Sequence, residues 1–472
     1  MKPYFACSVT LAAIVAFNFG LNTVNFNASK EFATVDFGWC KGEGNANEYE
    51  CTKATLYGSL IGGGSFIGGI LGSLLIGVIS KYGRRRAMII IHAINIVGSL
   101  ISTAAQCFSM LLLGRLIAGV SVGMSGMIAI YLTEICTVEN RGTYGTAYPM
   151  FITMGQLLMS AWQLLHMRVL GATENAAGAD AITMMDRFVW RMAQFWPAVF
   201  SMIALAIIYV VVKHDTPHVL LQEGKEDEAK EVIELLHGSE KADTVFAEVR
   251  GDVEALQSAS TSLGIIAALK VPKYRRAIFI ICGLSIMQQL SGINVFVANA
   301  SKLFVSIMGR SFTASAMSLA GVAALFVTTL FLAFVIDKFG RKTLFLFGIA
   351  VSCVSMVPAV IIKMSSAEKW ASYVMVVGCI GFMIGFAIGF GGIMWLYFAE
   401  ALGTEYKDAA FGVATSVNWL FAAIVVISSD PLLAWNDKVA YSLYTGFGLL
   451  GFAFVYFFLK ETKGMPLGQA FA

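Results

Sequence analysis

The chain is predicted to be an all-α membrane protein, with twelve transmembrane helices in two pseudo-symmetric six-helix bundles. Three observations carry that prediction. Of 472 residues, 57% are hydrophobic and 13% charged, with 46 Gly and 35 Phe, a composition that excludes an ordinary soluble domain. Twelve apolar runs follow one another, each near the roughly 20 residues that cross a bilayer core about 30 Å thick. The chain also repeats itself. Gly77–Met88 reads GVISKYGRRRAM and Phe334–Phe345 reads FVIDKFGRKTLF, with Gly83 and Gly340 257 residues apart. A second echo pairs YLTEICTVENRG (Tyr131–Gly142) with YFAEALGTEYKD (Tyr397–Asp408). Two similar membrane halves have an interface between them, and repeat interfaces near the bilayer midplane are where transporters place their substrates.

The spans are expected at about 5–27, 55–79, 87–107, 109–133, 145–168, 190–212, 275–300, 312–336, 343–363, 371–399, 409–429 and 438–459. Only helices and closed barrels satisfy their backbone in lipid, and these runs are too long for barrel strands. The first lacks a small-residue cleavage site and is read as a retained helix rather than a removed leader. Residues 1–212 then form the first bundle and 273–460 the second, with a short tail at 461–472. The linker, 213–272, is polar and contains amphipathic helix; Ala229, Val232, Ile233 and Leu236 fall on one stripe of Glu223–Leu236, and Pro217 marks a helix start. Glycines crowd the second span (Gly58 to Gly72) for close helix approach, and those around 389–392 allow a bend in the tenth.

Charge placement orients the chain. Lys81, Arg84 to Arg86, Arg141, Lys338, Arg341 and Lys342 follow even-numbered spans, which puts both termini in the cytosol. The net charge of +3 suggests no nucleic-acid partner. Six of the eight cysteines lie in apolar spans as small core residues. Cys40 and Cys51 share the first external loop, an oxidising place, and are expected to form a disulfide. No zinc or haem spacing occurs, and no metal or cofactor is expected.

These residues resemble the sugar porter branch of the major facilitator superfamily. The matches are GRRRAM and GRKTLF, GRLIAG from Gly114, TEICTVENRG, DTPHVLLQEGK after the sixth span, QQLSGIN from Gln288, NWLFAAIVV from Asn418 and KETKG from Lys460. WCKGE at Trp39 and VVISSD near the outer end of the eleventh span look most like apicomplexan hexose transporters of the malaria-parasite type. The resemblance implies passage of a monosaccharide by alternating access, in a monomer in the plasma membrane, with a neutral sugar and the lipid bilayer as partners.

Within that frame Gln288, Gln289 and Asn294, with Asn418, are expected to hold the sugar. Amides are costly in hydrocarbon unless paired, so they face a cavity or glue helices together. They also offer hydroxyls both donors and acceptors without charge. Trp395 and Trp419 offer apolar faces to sugar C–H groups, though bare aromatics in spans also serve as packing. Asn22, also counted among the substrate-binding residues, stands where proton-coupled relatives carry an aspartate. An amide cannot titrate, so uniport is expected rather than symport. Three family positions differ: Tyr148-Pro149 replaces His-Gln, Leu325 replaces Asn, and Gly391-Gly392 replaces Gly-Pro. Pro149 is expected to kink the fifth span, and Gln156, seven residues on, to reach the sugar instead. Arg84, Glu134 and Arg141 with Arg341, Glu400 and Lys407 form an expected cytosolic charge latch, while Ser80 replaces the acid that Asp337 keeps in the second half. Arg115 is expected to be structural, paired with an internal carbonyl or acid. Transport of another polyol, fructose or inositol is the alternative, or a non-transporting sensor, against which the short tails argue. The five histidines are scattered, so an enzyme is not expected.

Overall fold

In a computed structural model, the description covers residues 2–39, 52–137, 141–169, 183–258, 264–297, 311–366, 369–403 and 406–465. The first bundle comprises α1 (Pro3–Asp36), α2 (Thr52–Ile79), α3 (Arg84–Thr103), α4 (Phe108–Met124) continuing as α5 (Met127–Ile135), the short α6 (Arg141–Gly145), α7 (Ala147–Val169) and α8 (Met184–Val210). The linker contributes α9 (Pro217–Gln222), α10 (Glu226–His237), α11 (Ser239–Ser258) and α12 (Ile265–Lys270). The second bundle comprises α13 (Pro272–Leu290), α14 (Ser311–Val335), α15 (Arg341–Ser365), α16 (Lys369–Phe386) and, beyond a π-helical turn at Ala387–Gly391, α17 (Met394–Ala401), then α18 (Lys407–Trp435) and α19 (Asp437–Phe458). Among the described residues eleven spans are long and apolar enough to cross a membrane, and α7, of 23 residues, has the length for a twelfth.

Packing repeats as the sequence does. In the first bundle α1 packs on α7 and α8, α2 on α4, and α3 on α4 and α8. In the second, α13 packs on α18 and α19, α14 on α16, and α15 on α16 and α19. The halves meet along two seams, α2 against α18 and α7 against α14. Moving six spans along the chain turns one seam into the other.

Glycine sets the close approaches. A Cβ on Gly98 would lie 2.3 Å from the backbone N of Ala118, and one on Gly348 would lie 2.3 Å from that of Gly389. The same contact thus joins α3 to α4 and α15 to the turn before α17. Overpacking costs about 1–3 kcal/mol, so Gly348→Ala should lower the apparent melting temperature in detergent. Gly251→Ala on α11, where nothing lies within 4 Å of the added carbon, should not lower it, since alanine favours the helix by about 0.5–1 kcal/mol.

Several boundaries differ from the sequence reading. α1 runs on to Asp36, carrying Gly20 within it, and ends where Gly38 takes a φ of +63°. Span four divides at Ser125–Gly126. Pro149 does not kink a continuous helix. The break falls at Thr146, between α6 and α7, so the proline sits in the first turn of α7, where a missing N–H costs little. In the linker, Pro217 opens its own helix, α9, and Gly224 (φ +77°) turns the chain before α10. The α10 stripe of Ala229, Val232, Ile233 and Leu236 is buried. The bend in span ten takes the form of the π-helical turn at Ala387–Gly391. Cys40 and Cys51 lie outside the described residues.

Candidate functional site: a central cavity and a charged end

Between the bundles lies a cavity with about 650 Å³ of atom-free space, open solvent at its mouth included. From the first half it is lined by Phe19, Thr23, Phe66, Pro149, Ile152, Thr153 and Gln156; from the second by Gln288, Gln289, Ile293, Asn294, Leu325, Thr329, Phe386, Ala387, Gly391, Trp395, Asn418 and Trp419. None of these described lining residues carries a charge.

Four amides form one network on the second-half wall. Gln289 Nε2 donates to Gln288 Oε1 (3.1 Å) and Asn418 Oδ1 (3.0 Å). Asn418 Nδ2 donates to Gln288 Oε1 (2.6 Å) and the Ser285 carbonyl (3.3 Å). Asn294 Nδ2 donates to Gln289 Oε1 (2.6 Å), and Gln288 Nε2 to the Phe390 carbonyl at the π-helical turn (2.8 Å). Each primary amide has two donors and two lone pairs. Gln289 and Asn418 have therefore spent both donors inside the network. One N–H each on Gln288 and Asn294 remains, with both lone pairs of Asn294 Oδ1 and one each on Gln289 and Asn418. Asn418 is 1% exposed and Gln288 4%, whereas Asn294 is half-buried. The network thus holds its deep members in place and presents Asn294 to the cavity.

The first half offers less. Thr23 and Thr153 donate to their own helix, at the Gly20 and Met150 carbonyls (both 2.8 Å). Gln156 Nε2 donates to Thr23 Oγ1 (3.3 Å), while its buried Oε1 has no partner among the described residues. Pro149 and Leu325 are apolar wall. Trp395 packs edge-on to Tyr148 (ring centroids 6.0 Å apart), whose hydroxyl is held by Ser125 (3.0 Å). Trp419 packs on Phe19 (5.1 Å) and Phe66 (5.7 Å), so it bridges the halves.

Asn22 is the exception among the expected sugar residues, because it does not line the cavity. Its Nδ2 donates to Asn95 Oδ1 (3.0 Å) and the Asn18 carbonyl (2.9 Å), and its own carbonyl accepts from Arg115 Nη1 (2.9 Å). Arg115 also donates to Asn25 Oδ1. Phe19 and Thr23 take the cavity face of α1, which leaves Asn22 turned toward polar partners in its own bundle. Arg115 is paired with internal carbonyls, as the sequence reading expected.

At the basic end of the bundles the two halves carry matching constellations. Arg84 grips Glu134 through Nε (3.1 and 3.2 Å) and Nη2 (2.7 Å). Arg341 grips Glu400 in the same way, through Nε (3.1 Å) and Nη2 (2.9 Å). Thr216 Oγ1 donates to Glu134 (2.8 Å), and Thr462 Oγ1 donates to Glu400 (2.7 Å). Asp215 accepts from the backbone N–H of Arg84 and Arg85 (2.9 and 3.2 Å), and Glu461 from those of Arg341 and Lys342 (2.6 and 3.1 Å). These carboxylates satisfy the orphan N–H groups that open α3 and α15, where negative charge is favoured. Burial raises the Asp215 carboxyl above its usual range, opposed by those backbone donors.

Arg84 Nη1 to Asp408 Oδ2 (3.4 Å) and Thr143 Oγ1 to Asp337 Oδ2 (2.9 Å) cross between the halves here. Asp337 also approaches Arg341 (3.5 Å). Lys407 is buried beside Asp408, and the Arg141 side chain lies outside the described residues. Sequence reasoning gave no role to Asp215, Thr216, Glu461, Thr462, Asp408 or Thr143. The recurrence of an acid–Thr pair after the sixth and the twelfth spans could have found the first four.

Comparison with known proteins bears on this arrangement. Residues 8–470 match the family model described as "Sugar (and other) transporter". The chain is 30% identical over 465 residues to Hexose transporter 1 of Plasmodium vivax, covering 98% of this chain and 91% of that protein. It is 32% identical over 468 residues to Hexose transporter 1 of Toxoplasma gondii, covering 98% and 81%. Among solved structures, the major facilitator superfamily proton:xylose symporter XylE bound to 6-bromo-6-deoxy-D-glucose superposes with a TM-score of 0.81 at 20% identity, covering 99% of this chain and 98% of that one. That last likeness concerns the fold alone.

Proposed function

The chain belongs to the sugar (and other) transporter family, and from that premise we propose that it carries a hexose such as glucose across the plasma membrane as a uniporter. The observation that carries this reading is the charge-free cavity between the two bundles, with one wall of linked amides that keeps donors and acceptors to spare. A neutral ring of hydroxyls fits that inventory. Asn294, Gln288, Gln289 and Asn418 take the sugar from the second half and Gln156 from the first, while Trp395 covers its apolar face. Substrate held by both halves at once draws them together, and opening at one end or the other follows as the bundles rock.

Both termini and the basic end face the cytosol, so the Arg84–Asp408 and Thr143–Asp337 contacts close the cytosolic exit. The relatives' names supply hexose as the substrate class, and a monomer suffices because cavity and gates lie within one chain. Uniport follows from the same cavity. A proton-coupled cycle needs a group that gains and loses charge along the path, and Asn22 is an amide tied into its own bundle. Radiolabelled glucose should equilibrate across proteoliposomes without accumulating, at a rate a protonophore leaves unchanged. Accumulation under an imposed proton gradient would sink the uniport reading. Competition by fructose, xylose and inositol tests the polyol alternative, which Pro149 and Leu325 favour by withholding two polar contacts. A protein that takes up no monosaccharide would be a sensor.

A further inference from the structure

Behind the first-half wall of the cavity lies a second, smaller pocket with about 200 Å³ of atom-free space, open solvent included. Its centre has room for one water. Asn18, His92, Asn95, Ser121 and Ser125 give the chamber its polar lining, and Phe19 walls both it and the central cavity.

Counting hydrogen bonds assigns the protons on Ser201 and His92. Ser201 Oγ accepts from Asn18 Nδ2 (3.0 Å) and Asn95 Nδ2 (2.8 Å). Both lone pairs are then used, so the hydroxyl hydrogen goes to His92 Nδ1, 3.3 Å away. A neutral imidazole that accepts at Nδ1 carries its hydrogen on Nε2. Among the described residues His92 Nε2 and Asn18 Oδ1 have no partner, in side chains 1% and 5% exposed. Both residues line the chamber, and each keeps one polar atom, a donor and an acceptor, without a partner among the described residues. Turning the Asn18 amide over reverses both ends and leaves the same demand for one donor and one acceptor.

We propose that this chamber binds a single water molecule between His92 Nε2 and Asn18 Oδ1, and that the bridged pair positions Phe19, the side chain that separates it from the central cavity. Water is the occupant whose chemistry fits. A metal cation would meet an N–H at one end and no carboxylate among the lining residues. An anion would need Arg115, which is engaged by Asn22 and Asn25. A filled chamber backs Phe19; an emptied one lets its ring retreat and widens the sugar cavity.

The test uses the full-length protein, in detergent for melting and in liposomes for glucose uptake. His92→Leu strands Asn18 Oδ1 and the Ser201 hydroxyl hydrogen, Asn18→Leu strands the imidazole N–H, and the double variant removes both ends of the bridge while Asn95, Ser121 and Ser125 still line the chamber. Each single change should lower the apparent melting temperature by a few degrees, and the double by clearly less than their sum. His92→Gln, which keeps a donor, should recover most of the loss. In uptake, His92→Leu should raise the half-saturating glucose concentration about threefold while the maximal rate stays within about twofold, and His92→Gln should stay near the parent. Additive melting losses, or an unchanged half-saturation in His92→Leu, would overturn the proposal. The uptake arm rests on the sugar-carrier reading and the melting arm does not, so a parent protein that takes up no sugar defeats that reading while the melting cycle still decides the water site.

Discussion

Gln289→Leu should raise the half-saturating glucose concentration of uptake at least tenfold, with folded protein still recovered. Gln289 is the hub of the amide wall. It donates to Gln288 and Asn418 and accepts from Asn294. Leucine fills nearly the same volume, so packing in α13 survives, but Asn294 loses the acceptor that orients it and Asn418 Oδ1 loses its donor. The stranded Asn418 oxygen lowers stability by about 1–3 kcal/mol. Sugar affinity falls because the lone pair of Gln289 and the fixed orientation of Asn294 are both lost; two contacts of about 1 kcal/mol each exceed the 1.4 kcal/mol that is tenfold. Asn294→Ala should behave differently. It removes the side chain with the most unspent capacity and strands only one lone pair of Gln289, so it should weaken sugar binding with little change in melting temperature. Gln289→Leu should lower both. Equilibrium binding of glucose, read by intrinsic tryptophan quenching beside Trp395 and Trp419, separates the two. If both variants bind glucose as the parent does, the amide wall is interhelical glue and the substrate sits elsewhere.

Much of this was legible in the residues because membranes simplify the problem. Apolar runs too long for barrel strands must cross lipid as helices, so they announce the spans, and the repeated basic turns announce two halves. Gln288, Gln289, Asn294 and Asn418 could be chosen because amides in hydrocarbon need a polar destination. The same reasoning misplaced Asn22. Its chemistry is that of the other four, but only the rotation of α1 about its axis decides whether position 22 meets the cavity or Asn95, and apolar periodicity does not resolve that rotation in a helix buried on nearly all sides. Pro149 was legible as a disturbance, though whether a proline kinks a helix or starts one depends on where the preceding turn ends. Asp215 and Glu461 escaped notice for another reason. Their partners are backbone N–H groups of Arg84 and Arg341, and side-chain chemistry alone gives no sign of a cap supplied from over a hundred residues away.

Breaking the charged end should have the other large effect. Arg84 and Glu134 are 8% and 12% exposed, and Arg341 and Glu400 are 7% and 10%. Removing one member of a buried pair strands the other, at about 3–5 kcal/mol. Arg84→Ala takes away both the grip on Glu134 and the contact across the halves to Asp408, so it should cut uptake more than tenfold and open the cytosolic exit. Arg84→Lys keeps the charge but loses the two-pronged grip on the carboxylate, and should fall between. Asp408→Asn is the discriminating variant. Asp408 is 33% exposed, and a pair this accessible is worth only about 0–1 kcal/mol, so folding and sugar affinity should hold. The contact nonetheless joins one bundle to the other, and even that modest energy shifts the balance between closed and open cytosolic ends by up to about fivefold. A cysteine placed at Gly145, whose added carbon would face Leu396 of the opposite bundle, should then react faster with a membrane-impermeant thiol reagent applied from the cytosolic side in Asp408→Asn than in the parent. Equal labelling rates would mean that the cross-half contact contributes nothing to closure, and would leave the paired arginines as supports for each bundle separately.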